Sequence, residues 1–237
     1  MTLSGAGCFV GWYDLNAGDE NEHDNWHTHE HMIERVAIPG FLRGSRYRAI
    51  DGAPRVCIVY QGETLATFTS AAYLARLNNP TRWSTHCLPF FVGMNRSLCT
   101  VAATFGHGIG GYLLTLQFSA RDGDADRLEQ WLIEKALPEL AARAGLNGAH
   151  LLVCDPAASR MQTREKILRG APDVFADRIM LVEGYDRAAV EAARDDLLGA
   201  NGLTAHGAGA NSIAGLYSLD FTLGEDEAKR LWRGPEA

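Results

Sequence analysis

The sequence predicts an α+β fold of two consecutive βαββαβ units, and three observations carry that prediction. Strand-like and helix-like segments alternate in the same order in both halves of the 237 residues. An offset of 105 positions (131 − 26) places Trp26 on Trp131, Glu34 on Glu139, Gly40 on Gly145 and Phe41 on Leu146. With 46% hydrophobic residues, the chain can bury a core.

In the first half, Gly7 to Leu15 reads as a strand, and the acidic loop after it leads into a helix over about Asn21 to Ile38. Pro39-Gly40 ends that helix, because proline lacks an amide donor and glycine accepts the dihedrals of a helix terminus. Arg46 to Ile50 and Val56 to Tyr60 form a hairpin around the turn Asp51-Gly52. A second helix over Thr69 to Leu77, a proline-containing connection to about Ser97 and a strand over Leu98 to Phe105 complete the unit.

The second half repeats the order. It has strand Tyr112 to Ser119, helix Asp124 to Ala144, strands His150 to Cys154 and Arg178 to Gly184, helix Arg187 to Leu198, and strand Ile213 to Leu223. These are two ferredoxin-like units, 1–108 and 109–237, each with helices on one face of a four-stranded sheet. The other face is apolar, so the units gain by packing sheet against sheet as an α+β barrel.

Composition narrows the function classes. Lys and Arg total 22 against 29 Asp and Glu, a net charge of −7 spread along the chain, which argues against nucleic acid as a partner. No apolar run reaches the length of a membrane helix and no signal-like segment opens the chain, so a cytoplasmic protein without membrane contact is expected. Five cysteines without a CxxC pair, four of them in predicted strands, point to reduced core thiols.

The chemistry concentrates in the first helix. His23, His27, His29 and His31 put four of the eight histidines into nine residues, and His23, His27 and His31 follow one another at i, i+4 spacing. In the 105-residue register His27 falls on Leu132, His31 on Ala136 and Glu30 on Lys135, so the first unit is expected to carry the site and the second to be mainly structural. A helical wheel through Trp26, Ile33, Val36 and Ala37 sets Glu30 at the apolar face and His31 further round, so the wheel favours Glu30 as a partly buried base. The competing reading is a solvated, histidine-rich surface. His27 to His31 also spells H-x-x-E-H, a two-histidine metal signature, although no third ligand is evident downstream.

On the central hairpin Arg46, Tyr47 and Tyr60 are candidates to orient a ligand carboxylate or carbonyl. Trp83, His86 and Arg96 surround the second helix and the strand after it, where an arginine suits an anionic substrate.

Trp26, Glu30-His31-Met32, Glu34-Arg35, Pro39-Gly40-Phe41 and Arg46-Tyr47 together resemble the first-helix motif of the dimeric α+β barrel superfamily, nearest its EthD-like branch. The likeness rests on an aromatic residue and then a histidine on the first helix, a Pro-Gly stop, and a tyrosine on the next strand; Ile33 stands where close relatives carry proline. The resemblance implies a ligand cleft between sheet and helices with His31 in it, whereas the wheel favours Glu30. It spans lactone isomerases, cofactor-free monooxygenases, polyketide cyclases and haem enzymes, so fold alone does not choose a reaction. For a haem, the C-terminal half offers only His150 and His206.

The combined expectation is a cofactor-independent isomerase or lyase that moves a proton on a small anionic aromatic or lactone-type metabolite, without a metal and as a monomer or homodimer. Glu30 or His31 would be the base and His27 its partner, with Arg46, Tyr47, Tyr60, Trp83, His86 and Arg96 around the substrate. The alternatives are a non-catalytic ligand-binding or stress-response barrel, and a metal-dependent hydrolase or oxygenase using His27 and His31.

Overall fold

A computed structural model describes residues 3–50, 54–170 and 174–234. The expected turn Asp51-Gly52 lies outside the described residues. In chain order the first half contains β1 (Gly7–Leu15), α1 (Glu20–Trp26), a π turn (His27–His31), α2 (Met32–Val36), β2 (Phe41–Ala49), β3 (Val56–Gly62), α3 (Ala71–Asn78), α4 (Arg82–Cys87) and β4 (Phe91–Gly106). The second contains β5 (Tyr112–Phe118), α5 (Ala125–Trp131), a π turn (Leu132–Ala136), α6 (Leu137–Ala142), β6 (Leu146–Cys154), α7 (Pro156–Ser159), α8 (Arg164–Leu168), β7 (Arg178–Gly184), α9 (Arg187–Leu198), β8 (Ile213–Gly224) and α10 (Glu225–Leu231).

The strands close into a barrel in the order β1-β3-β2-β8-β5-β7-β6-β4, with antiparallel neighbours throughout. Within it β4-β1-β3-β2 and β8-β5-β7-β6 are two ferredoxin-like sheets, so the fold is an α+β barrel of two such units. As expected, the two sheets pack their apolar inner faces together: Cys8, Val10 and Trp12 of the first share one core with Leu113, Leu152 and Leu181 of the second. The sheets also join edge to edge, β2 to β8 and β4 to β6, because hydrogen-bonding their free edges removes every exposed ladder that a flat sheet would leave. One chain thus closes its own barrel, and closure needs no second copy.

Side-chain alternation separates three cores. On β1, Cys8, Val10 and Trp12 point into the barrel with Tyr47, Cys57 and Val59, while Phe9 and Tyr13 point out to the first-half helices. Leu114 and Leu116 pack outward against the second-half helices.

β1, β7 and α9 coincide with their expected ranges, β5 ends one residue before the expected Ser119, and other elements differ for local reasons. β2 begins at Phe41 rather than Arg46, because Gly40, at φ +90°, turns the chain straight from helix into sheet; Gly145, at φ +87°, does the same before β6. The expected loop before Ser97 holds α4 and the start of the 16-residue β4. Helices α4, α7, α8 and α10 were not anticipated, and the first three open on a side-chain cap. The hydroxyl of Thr81 accepts from the Ser84 amide (2.9 Å), the carboxylate of Asp155 from the Ala158 amide (2.7 Å), and the hydroxyl of Thr163 from the Lys166 amide (3.3 Å). Among the described residues no helix is long and apolar enough to cross a membrane.

The two π turns occupy the same place in both halves, 105 positions apart (132 − 27). Since one is lined with histidine and the other with aliphatic residues, the turn belongs to the scaffold rather than to the chemistry. It inserts an extra residue into the helix and so rotates everything after it by about 100° relative to an uninterrupted helix.

Candidate functional site

That rotation decides which side chains enter the cleft between the first helix and its sheet. His27 and His31 are buried, with the rings of His23, His27 and His31 forming a column at successive centroid separations of 5.4 Å. The wheel's preference for Glu30 is therefore corrected: it assumed an unbroken 3.6-residue period. Glu30 is half-buried and faces α4, where its carboxylate accepts from Trp26 Nε1 (3.1 Å), Thr81 Oγ1 (2.6 Å) and Ser84 Oγ (3.3 Å). Trp26 in turn lies against His31, with ring centroids 4.3 Å apart. Glu30 thus fixes the tryptophan that backs the imidazole.

The cleft is lined by His27, His31 and Arg35 from the helix, Phe9, Ile58, Tyr60, Met94 and Arg96 from the outer sheet face, and Tyr73 and Leu77 from α3. Leu88 and Phe91 close one side. Thr163, Glu165 and Arg169 come from the second half, on and beside α8. The second unit, expected to be mainly structural, thus also contributes one wall of the cleft. About 480 Å³ of space separates the walls, mouth included, but only about 30 Å³ admits the centre of a water molecule, so a ligand must spread the walls.

Polar groups in this cleft lack partners to an unusual degree. Among the described residues neither ring nitrogen of His27, nor Nδ1 of His31, nor the Tyr60 hydroxyl has a hydrogen-bond partner, although all are buried. Arg96 is 6% exposed, lies over the Phe9 ring (5.3 Å) and forms no ion pair among the described residues. Burial lowers both imidazoles well below their ordinary pKa; the neighbouring His23 and His31 add to this for His27, as Arg35 does for His31. Both are therefore neutral near pH 7 and can accept a proton. Burial also raises the Tyr60 hydroxyl, which stays protonated and able to donate.

Two polar clusters hold these groups in place. His23 Nε2 lies 2.8 Å from the Tyr13 hydroxyl and Nδ1 2.9 Å from Asp24, which fits the tautomer donating from Nδ1 and anchors the foot of the column. At the other end, Arg35 pairs with Glu34 (3.1 Å) and, closely, with Glu165. Arg35 enters the sequence reading only as part of the first-helix motif, and Glu165 was missed because α8 was unassigned.

The remaining candidates lie elsewhere. Arg46 is committed to Asp220 (2.7 Å) and Thr28 (3.1 Å) at the outer end of the helix. Tyr47, one residue on, points into the barrel by strand alternation. Trp83 donates to Glu22 (2.8 Å), and His86 is exposed with its ring on Phe90. So the structure brings together His27, His31, Tyr60 and Arg96, and it separates Glu30, Arg46, Tyr47, Trp83 and His86 from them. With Glu30 turned to α4, the H-x-x-E-H reading loses its water-activating group. Among the described residues no three His, Cys, Asp or Glu side chains converge on a metal position.

A roomier groove, where about 420 Å³ admits the centre of a water molecule against about 30 Å³ in the cleft, lies on the second half between α5–α6 and α9. On its wall Arg143 is paired to Asp196 (2.8 Å), and among the described residues no cluster of buried, unpartnered polar groups like that of the narrower cleft lines it, so the cleft is the stronger candidate.

Fold and cleft define an α+β barrel with a buried polar cavity beneath its first helix. Neither a protein-family model nor a curated protein sequence matches the chain. Solved structures match over nearly its whole length. An anthrone oxidase-like protein shares 13% identity at a TM-score of 0.64, covering 95% of each chain. A candidate monooxygenase from Lactobacillus acidophilus NCFM shares 7% at 0.58, covering 93% of this chain and 97% of that one. A candidate chlorite dismutase shares 13% at 0.55, covering 97% and 100%. At such identities the likeness is one of fold.

The two imidazoles that a haem would call on do not fit one in this cleft. His150 points into the closed barrel, 2.7 Å from the Thr104 hydroxyl, and burial pushes it down to about 3; His206 lies flat on Trp131 at 3.8 Å on the outer surface of the second half.

Proposed function

We propose that the chain is a cofactor-independent enzyme that transfers a proton on a small anionic molecule, aromatic or lactone-type, as an isomerase or lyase. The observation that carries this reading is the set of buried, unpartnered groups facing one cleft: two neutral imidazoles, a tyrosine hydroxyl and an arginine without a counter-ion. Burying such groups unpaired costs stability, and a ligand supplying one acceptor for Arg96 and one for Tyr60 would relieve it.

In this mechanism the substrate's negative group sits on Arg96, with its plane between Phe9 and Phe91. His31, backed by Trp26, removes a proton from the carbon next to a carbonyl, and Tyr60 donates to the oxygen where charge develops. The bound anion raises the basicity of His31 that burial had suppressed, so the base gains strength when substrate is present. His27 lies beside His31, with ring centroids 5.4 Å apart, as its imidazole partner in the proton transfer. The first half, 1–108, provides this chemistry, and 109–237 provides the frame plus the α8 wall. A cytoplasmic location suits five buried free thiols.

The fold neighbours favour one variation, in which the same carbanion is oxidised by dioxygen without a cofactor. Oxygen uptake separates it from isomerisation.

Arg96→Gln should weaken binding of aromatic carboxylate probes such as benzoate and salicylate at least tenfold, measured by calorimetry. His31→Ala should keep that binding but lose base-catalysed exchange, with deuterated water, of the hydrogens next to the carbonyl of a bound aromatic keto acid, followed by NMR. Unchanged binding in the first variant and unchanged exchange in the second would refute the proposal.

A further inference from the structure

Four of the five cysteines, Cys8, Cys57, Cys99 and Cys154, lie inside the barrel, away from the cleft. Two of them face each other across the seam that joins the halves: in the β4–β6 ladder Cys99 is directly opposite Cys154. The Asp155 amide donates to the Leu98 carbonyl (2.8 Å), which makes 98/155 the hydrogen-bonded pair and 99/154 the non-hydrogen-bonded pair beside it. In such a pair the Cα atoms stand about 4.5 Å apart with side chains close, inside the range of roughly 4.4–6.8 Å that a disulfide spans without backbone movement. Cys8 also faces Cys99, across β1–β4, but the Val101 amide bond to the Ala6 carbonyl (2.9 Å) sets that pair in the wider, hydrogen-bonded position.

The two seam thiols are chemically unlike. Cys154 is half a step from the surface at 7% exposure, with its sulfur 3.2 Å from the Ser159 hydroxyl at the end of α7. Cys99 is fully buried. The hydrogen bond from the Cys99 thiol, with Ser159 assisting, brings Cys154 down to about 7, while the same bond and burial raise Cys99. Near neutral pH a good share of Cys154 is thiolate, the nucleophilic form, with a protonated thiol beside it to resolve what it forms.

We propose that Cys99 and Cys154 are a reversible redox pair that a small hydroperoxide converts into a disulfide across the β4–β6 seam. The Cys154 thiolate attacks the peroxide oxygen; the O–O bond breaks, leaving Cys154 sulfenic acid and water or an alcohol. Cys99 sulfur then displaces hydroxide from the sulfenic acid, giving the disulfide and a second water once protonated. The peroxide is the oxidant, and a dithiol reverses the step. The bond would staple the two halves at one junction, three residues along β4 from Arg96. The inference stands independently of the proposed acid/base chemistry.

The full reduced chain is treated with a slight excess of hydrogen peroxide and digested under non-reducing conditions for peptide mass mapping. A Cys99–Cys154 linkage is expected, with a raised midpoint of thermal unfolding that dithiothreitol reverses. In Cys99→Ser, Cys154 should accumulate as sulfenic acid trapped by dimedone. Mapping that finds both thiols free after oxidation of the wild-type chain, or finds Cys99 joined to Cys8, overturns the proposal. That measurement needs no variant to fold.

Discussion

Replacing His27 by leucine is expected to make the protein more stable and inactive in a single step. Both ring nitrogens of His27 are buried without partners, a condition that costs about 1–3 kcal/mol. Leucine fills a similar volume, and the second half already holds Leu132, fully buried, at the same place in its own π turn. A stability gain of about 1–3 kcal/mol at pH 7 follows, together with loss of proton exchange on a bound substrate. The gain should widen in acid. Because the folded pKa lies below the unfolded value of about 6.5, neither state binds the proton well above that pH. As pH falls through about 6.5 the unfolded chain takes up a proton that the native chain refuses, and the wild type loses about 1.4 kcal/mol per pH unit on this account until the folded pKa is reached. His23, His31 and His150 carry the same sign and remain in the variant. Urea unfolding of both proteins at pH 7 and pH 5 checks the prediction. A variant less stable than wild type at pH 7 would mean that His27 is satisfied in a way its surroundings do not show.

Glu165→Leu should be among the most destabilising single changes in the protein, by about 3–5 kcal/mol. Arg35 is 2% exposed and raised in pKa by Glu165 and Glu34 against the opposing cost of burial. Removing Glu165 leaves Glu34, which burial raises above its ordinary value and which is therefore the weaker counter-ion. Coupling Glu165→Leu with Arg35→Met removes both charges and should restore most of the loss, since buried ion pairs often exchange for apolar pairs at little cost. Chemical denaturation of the two single variants and the double gives the coupling energy. If the double loses the sum of the singles, the two residues do not interact, and α8 is not held against the first helix by this pair.

Much of the fold was legible because the strands alternate cleanly and Pro39-Gly40 and the Gly145 stop punctuate the helices. The 105-residue register holds in the coordinates for both π turns and both glycine stops. Short helices α4, α7, α8 and α10 were not read, although Thr81, Asp155 and Thr163 are cap signals for the first three; four to seven residues show too little periodicity to count on their own. In the site, His27, His31, Tyr60 and Arg96 were singled out in advance. Glu30 instead faces α4, Arg35 is quoted in the sequence reading only as part of the first-helix motif, and Glu165 is not among its candidates.

From spacing and composition alone follow the order of the strands and main helices, the asymmetry between a histidine-lined first helix and its aliphatic counterpart, and the acidic net charge. Those features are local or compositional, and spacing along the chain is enough to reveal them. Tertiary structure alone decided that the sheets meet at their edges, that a π turn swings His31 inward and Glu30 toward α4, and that α8 brings Glu165 from the far half to Arg35. Each of these depends on contacts between residues distant in sequence or on one inserted helical residue, and neither leaves a periodic trace for a linear reading to find.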